Sequence, residues 1–311
     1  MAEAGAILVM VFWAANFIVV KSAIQEIPPV TFAFLRFSLA AIVLLVALRW
    51  REGSIRPPRA DAIAVMGLGA IGFGVYQVIW STALHSIPAG DSALIIATTP
   101  VLTALLAVVA GSDVLTRAKI GGSLVSFAGV GIVVAAGPGL ALFGGAGGAS
   151  GASGVILIGD LLTLGAAACW SIYTAFGSPI LRRHSPLRTT AWAMVGGCLV
   201  LAGPGLWEAA SANWGAIDAA AWGGLLYSAL IPAGLSNVLI FNAIRLLGPT
   251  RITNLQFLVP FVAVVLSGLF LAEAIRPEQI VGGAVIVLGV ALARVGGRLD
   301  LAGWIRERLP T

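Results

Sequence analysis

The chain has 311 residues, of which 59% are hydrophobic and 10% are charged, and its mean hydropathy is +1.02. Because an ordinary soluble domain carries about 25% charged residues, this composition excludes one and places the chain in a lipid bilayer. The pI near 9.9 reflects a formal net charge of only +5. That excess lies in short loops, where membrane topology explains it better than nucleic-acid binding does.

Apolar stretches recur along the whole chain at the length that crosses a bilayer, roughly 20 residues of helix. The sequence predicts an all-α membrane protein with ten transmembrane helices, at residues 4–22, 30–48, 61–84, 90–110, 118–136, 155–178, 187–207, 219–245, 251–272 and 278–295.

Basic residues are divided unevenly between the two sets of connections. Fifteen of the 18 lie in or beside the connections after the even-numbered predicted helices, and only Lys21, Arg36 and Arg276 do not. Cytoplasmic loops of membrane proteins are enriched in Lys and Arg. Both termini are therefore predicted to be cytoplasmic.

A segment of the first half recurs 160 residues later in the chain. The matching positions are Pro100, Leu106, Asp113, Ile120, Gly122, Gly129 and Val130 with Pro260, Leu266, Glu273, Ile280, Gly282, Gly289 and Val290. Ten helices in two copies give five per copy, and an odd number inverts the second copy in the membrane. Inverted repeats are typical of secondary transporters.

This repeat divides the chain into four parts. Residues 1–136 form the first five-helix repeat, and residues 155–295 form the second. A glycine-rich stretch without charge, residues 137–154, is predicted to be an external linker. Residues 296–311 are predicted to form a cytoplasmic tail.

Two runs carry a family resemblance: FWAANFIVVKSAIQEIPPVTFAFLRFSLAAIVLL (Phe12 to Leu45) and FNAIRLLGPTRITNLQFLVPFVAVVLSGLFLAEAI (Phe241 to Ile275). They resemble the EamA-type permeases of the drug/metabolite transporter superfamily, and among these the bacterial exporters of aromatic amino acids. The resemblance implies two inverted five-helix halves and export of small metabolites. It also implies a central cavity lined mainly by helices 3, 4, 8 and 9, with help from helices 1 and 6.

Aromatic and polar side chains within the helices are the candidate substrate-binding residues. Trp13 and Trp170 occupy equivalent positions near the middle of helices 1 and 6, although membrane tryptophans prefer the interfaces. They either pack between helices or stack on a planar substrate. The other candidates lie on helices 3, 4 and 8 and either join helices or line a wet cavity: Tyr76, Gln77, Trp80, Thr98, Thr99, Asn237 and Asn242.

Lys21 and Arg36 are candidate contacts for a substrate carboxylate. Lys21 lies at the external end of helix 1, and Arg36 lies about 9 Å along helix 2 from its external start at 1.5 Å per residue. The alternatives are that Lys21 extends to the interface and that Arg36 binds backbone carbonyls.

The sequence offers no sign of catalysis or of a cofactor. Cys169 and Cys198 lack metal-ligand spacing, and nucleotide-binding and hydrolase motifs are absent from the sequence. Acidic residues fall toward the ends of predicted helices, which disfavours proton-coupled export of cationic drugs. We therefore expect a non-enzymatic, multi-pass permease of the bacterial inner membrane that exports aromatic and other neutral amino acids. Another small metabolite, such as a purine or a sugar derivative, and a non-transporting scaffold are the alternatives.

Overall fold

The computed structural model describes residues 2–109, 116–135, 151–181, 183–237, 239, 243, 255–256 and 258–295. These residues form helices, turns and loops, and no strand occurs among them. The helices are α1 (Ala2–Ala23), α2 (Pro29–Glu52), α3 (Ala62–Ser86), α4 (Ala89–Val109), α5 (Arg117–Ala135), α6 (Gly151–Leu181), α7 (Pro186–Ala209), α8 (Ala219–Leu235), α9 (Leu258–Phe270) and α10 (Pro277–Val295).

Helices α1 to α7 are each long and apolar enough to cross a bilayer, whereas α8, α9 and α10 are apolar but shorter over the residues described. Each predicted span has a helix at its position. Helix α6 begins at Gly151, inside the stretch predicted as a linker. The remainder of that stretch, residues 137–150, and the predicted tail lie outside the described residues.

Three helices are interrupted near the middle of the bundle. Helix α3 widens into a π-helix over Ala70–Val75, and α8 does so over Ala229–Leu235. Helix α4 tightens into a turn at Ala97–Thr98, two residues before Pro100. Proline has no N–H and its ring collides with the carbonyl four residues earlier, so a regular helix cannot continue there. Such interruptions often mark functional sites.

Helices α2 and α7 run antiparallel, and each carries a glutamate that binds the start of the other. Glu208, near the end of α7, accepts hydrogen bonds from the backbone N–H groups of Val30 (2.8 Å) and Thr31 (3.1 Å). At the opposite end, Glu52 of α2 accepts from Arg188 Nε at 3.1 Å. Carboxylates at helix N-termini satisfy free N–H groups and the helix dipole.

Helices α5 and α10 also run antiparallel, and they meet through the repeated glycines. Gly122 faces Gly289 and Gly129 faces Gly282, so one helix ascends as the other descends. A Cβ atom on any of the four would lie within 3 Å of backbone atoms of the opposite helix. The absence of side chains therefore sets the spacing of this pair.

Helix contacts made by one half of the chain are repeated by the equivalent helices of the other half. Helix α3 contacts α6 and α7, and its counterpart α8 contacts α1 and α2. Likewise α4 contacts α6, and α9 contacts α1. This arrangement leaves a space between the halves, beside the interrupted segments of α3, α4 and α8.

Candidate substrate cavity

A cavity of about 520 Å³ lies between the two halves of the chain. This volume is typical of a pocket for a small molecule. The described residues that line it come from α1 to α4, from α6 to α9 and from the connection between α8 and α9: Trp13, Asn16, Phe17, Arg36, Phe37, Phe73, Tyr76, Gln77, Trp80, Ala93, Ile96, Ala97, Thr99, Pro100, Thr103, Trp170, Thr174, Met194, Ser228, Pro232, Ala233, Asn237, Gln256, Val259 and Pro260.

Four aromatic rings form one continuous wall of this cavity. Tyr76 and Trp80, one helical turn apart on α3, lie nearly parallel with ring centroids 6.1 Å apart. Trp170 of α6 is tilted against Tyr76 at 5.7 Å and meets Phe73 edge-to-face at 5.5 Å. Aromatic pairs are stabilised in these arrangements. The wall therefore offers a rigid surface on which a planar ring can stack.

Trp13 and Trp80 line the cavity while their indole N–H groups are held by the protein. Trp13 Nε1 donates to the carbonyl oxygen of Pro232 in α8 at 3.3 Å. Trp80 Nε1 donates to Ser92 Oγ at 3.1 Å. Both N–H groups are thus satisfied within the protein, and the Trp80 side chain borders the cavity while only 2% exposed.

Thr98 and Thr99 donate their hydroxyl groups to carbonyls at the break in α4. Thr99 Oγ1 donates to the carbonyl of Ile96 at 2.6 Å, the group that loses its helical partner at Pro100. Thr98 Oγ1 donates to Ile95 at 2.7 Å and is fully buried. Thr99 lines the cavity, whereas Thr98 does not.

The amide side chains predicted for the site have different surroundings. Gln77 lines the cavity, is buried, and leaves Oε1 without a hydrogen-bond partner. Asn237 also lines it, and its Nδ2 donates to the Ala233 carbonyl at 2.6 Å. Asn242 lies outside the described residues.

Arg36 lines the cavity and is only 3% exposed. Its Nη1 donates to Ser228 Oγ at 3.0 Å, and Ser228 in turn donates to Asn16 Oδ1 at 2.5 Å. The guanidinium carbon lies 4.4 Å from the centroid of the Phe37 ring, a cation–π distance. Its Nε has no partner.

Lys21 does not line the cavity. Its ammonium group donates to the backbone carbonyls of Leu84 (2.7 Å), His85 (2.9 Å) and Ile87 (2.8 Å), at the end of α3. An ammonium group has three N–H donors, and these three carbonyls account for all of them.

Sequence reasoning missed several residues of the cavity, including Asn16, Phe73 and Ser228. Asn16 is three residues after Trp13, so the helical spacing that linked Tyr76 with Trp80 could have found it. Ser228 has no such signal, because its role depends on α8 meeting α1 and α2.

Comparison with known proteins identifies a family over both halves of the chain. Residues 1–135 and 157–295 match the model described as the EamA-like transporter family. The chain is 29% identical to a probable terminal-alkyne amino-acid exporter of Streptantibioticus cattleyicolor, covering 92% of this chain and 91% of that protein. It is 25% identical to a probable amino-acid metabolite efflux pump of Salmonella typhimurium, covering 94% and 95%.

A further relative and a solved structure match over similar lengths. The uncharacterized transporter YyaM of Bacillus subtilis is 27% identical, covering 91% of this chain and 90% of that protein. A solved crystal structure gives a TM-score of 0.64 at 20% identity, covering 96% of this chain and 97% of the other. This similarity shows a shared fold.

Proposed function

The chain belongs to the EamA-like transporter family, and we propose that it exports aromatic and other neutral amino acids across the bacterial inner membrane. The observation that carries the proposal is the cavity between the halves, with its wall of Phe73, Tyr76, Trp80 and Trp170. Two relatives whose names refer to amino-acid export support the substrate class.

The transport cycle in this proposal is alternating access by ten transmembrane helices in two inverted repeats, with both termini in the cytoplasm. Supporting observations are the antiparallel crossing of the equivalent helices α5 and α10 and the exchangeable packing of the other helices. The π-helical segments of α3 and α8 also occupy corresponding positions beside the cavity. Two similar half-packings can exchange roles, so that the cavity opens to one side and then to the other.

In the proposed site, Trp13, Tyr76, Trp80 and Trp170 contact the ring of the substrate. The polar residues Gln77, Thr99 and Asn237 contact its polar groups. Among the candidates from the sequence, Thr98 and Lys21 are supporting residues in this arrangement, because they do not line the cavity and their donors are engaged by backbone carbonyls.

Replacing Trp170 with alanine tests whether the ring wall recognises the substrate. In proteoliposomes, Trp170→Ala should reduce uptake of phenylalanine and tryptophan about fivefold more than uptake of leucine and valine, because stacking contributes about 1 kcal/mol beyond area burial. Trp207→Ala is the matched control, since Trp207 is 83% exposed and does not line the cavity. Equal losses for aromatic and aliphatic amino acids would argue against stacking.

A panel of solutes separates this proposal from its alternatives. An aromatic wall can also stack on a purine, so adenine and a sugar derivative belong in the same uptake assay as the amino acids. If a purine is taken up in preference to amino acids, the protein is a transporter of purines and not of amino acids. No uptake of any solute by well-folded protein would contradict the transporter function.

A further inference from the structure

Two polar atoms of the cavity wall are buried and have no hydrogen-bond partner: Arg36 Nε, a donor, and Gln77 Oε1, an acceptor. Such atoms are almost always paired inside proteins, because an unpaired one is costly. Both residues line the cavity. Trp80 lies beside both of them: it is one helical turn from Gln77 on α3, and its ring centroid is 5.9 Å from the Arg36 guanidinium carbon. Both atoms have almost no accessible surface, so a solute in the cavity supplies the missing partners when the two side chains turn toward it.

The described wall of the cavity carries a positive charge and no negative one. Among the described residues that line the cavity, Arg36 is the only charged side chain and none is acidic. The sequence from residue 238 to residue 257 also contains no Asp or Glu. A buried guanidinium without a counter-charge is unfavourable. A carboxylate on the solute would provide that counter-charge through a charge-assisted hydrogen bond.

The unpaired acceptor, Gln77 Oε1, belongs to a neutral side chain. Gln77 Oε1 can accept a hydrogen bond from an ammonium group, but equally from an amide N–H, and it offers no charge to an amine. A hydrogen bond from an ammonium group to this amide has one charged partner, whereas a guanidinium–carboxylate bond has two. The carboxylate therefore contributes more to binding than the amine does.

We propose that Arg36 and Gln77 form a subsite for a carboxylate with a neighbouring N–H group, in which the carboxylate is required and the amine is dispensable. Aromatic acids without an amino group are then substrates alongside amino acids, whereas aromatic amines without a carboxylate are not. This inference rests on the proposed transport function and narrows its substrate class.

Four matched solutes test the subsite on the purified full-length protein: phenylalanine, 3-phenylpropionate, phenethylamine and phenylalaninamide. Each is assayed as a competitor of labelled phenylalanine in proteoliposomes and as a thermal stabiliser of the protein in detergent. The two carboxylates should act at concentrations at least about tenfold lower than the two amines, as expected for a charge-assisted bond. If phenethylamine matches 3-phenylpropionate, the proposal is overturned.

The two readouts separate failure of the subsite from failure of transport. Carboxylate-selective stabilisation without any flux would keep the subsite and contradict the transport function. Flux of phenylalanine with equal competition by amines and carboxylates would keep the transport function and contradict the subsite.

Variants then assign the selectivity to the two residues. Arg36→Gln should reduce the preference for 3-phenylpropionate over phenethylamine by about tenfold or more, and Arg36→Lys should retain part of it. Gln77→Glu should shift the preference toward solutes with an amine, because it adds a negative charge beside them. An unchanged preference in Arg36→Lys and Gln77→Glu would overturn the assignment, even if Arg36→Gln failed to fold.

Discussion

Gly122 lies at a close approach of α5 and α10, where a single methyl group decides whether the two helices can pack. A Cβ atom at Gly122 would stand 2.3 Å from the backbone nitrogen of Ala293 and 2.5 Å from the carbonyl oxygen of Gly289. Backbone atoms of a packed helix cannot rotate away as the end of a side chain can. The neighbouring Gly121 has nothing within 4 Å of the same atom.

These adjacent glycines give a matched pair of substitutions. Gly122→Ala should destabilise the protein by about 1–3 kcal/mol, the usual effect of overpacking. Gly121→Ala should be neutral or stabilising by up to about 1 kcal/mol, because alanine favours helix. The midpoint of thermal unfolding in detergent measures both. Equal midpoints for the two variants would contradict the tight crossing.

Residues that share one helix face were predictable, and residues that meet across helices were not. The spacing of Tyr76 and Trp80 placed them on one face of α3, and they do line the cavity together. The bond from Arg36 to Ser228 joins positions 192 residues apart in sequence. No local pattern encodes such a contact, since it depends on how the helices pack.

At the scale of elements, an ion pair and a capping carboxylate join the starts of α4 and α10. Arg276 Nη2 donates to Asp91 Oδ2 at 2.5 Å, and Gln279 Nε2 donates to Asp91 Oδ1 at 2.7 Å. Glu273 accepts from the backbone N–H of Ala89 at 2.9 Å, at the first turn of α4. The side chain of Asp91 is only 2% exposed. These bonds hold the two halves together at the end predicted to be external.

A double-mutant cycle tests this link between the halves. Arg276→Gln should destabilise the protein by about 3–5 kcal/mol, because it leaves the buried Asp91 carboxylate without its cation. Asp91→Asn, Arg276→Gln should be less destabilised than the sum of the single variants, with a coupling of about 0.5–3 kcal/mol. Thermal midpoints of the four proteins give the coupling. Strict additivity would mean that the pair contributes nothing.

Helix positions followed from hydropathy, but helix ends and interruptions did not. The predicted span 30–48 ends before Arg49 because charge lowers the local hydropathy. The helix nevertheless continues to Glu52, and Gly53 caps its end. The φ of Gly53 is +70°, in the left-handed region that favours glycine. The π-helical segments of α3 and α8 had no signal in the hydropathy pattern, since widening by one residue leaves the composition unchanged.

At the scale of the whole molecule, the family and the helical architecture agree with the expectation from sequence. The family resemblance is confirmed over residues 1–135 and 157–295. The inverted topology stays a prediction, and reporter fusions can test it. Alkaline phosphatase inserted after residue 145 should be active, and a fluorescent protein fused after residue 311 should fluoresce, because the linker is predicted to be external and residue 311 cytoplasmic. The opposite pattern would contradict cytoplasmic termini.

The most direct test of transport through the cavity is counterflow of labelled phenylalanine in proteoliposomes loaded with unlabelled phenylalanine. The wild-type protein should accumulate label saturably. Ala97→Trp, which places a large ring in the cavity, should reduce the rate at least about tenfold. Ala219→Trp, at an exposed position outside the cavity, should retain counterflow. Counterflow in Ala97→Trp at the wild-type rate, or its absence in the wild type, would contradict transport of amino acids through this cavity.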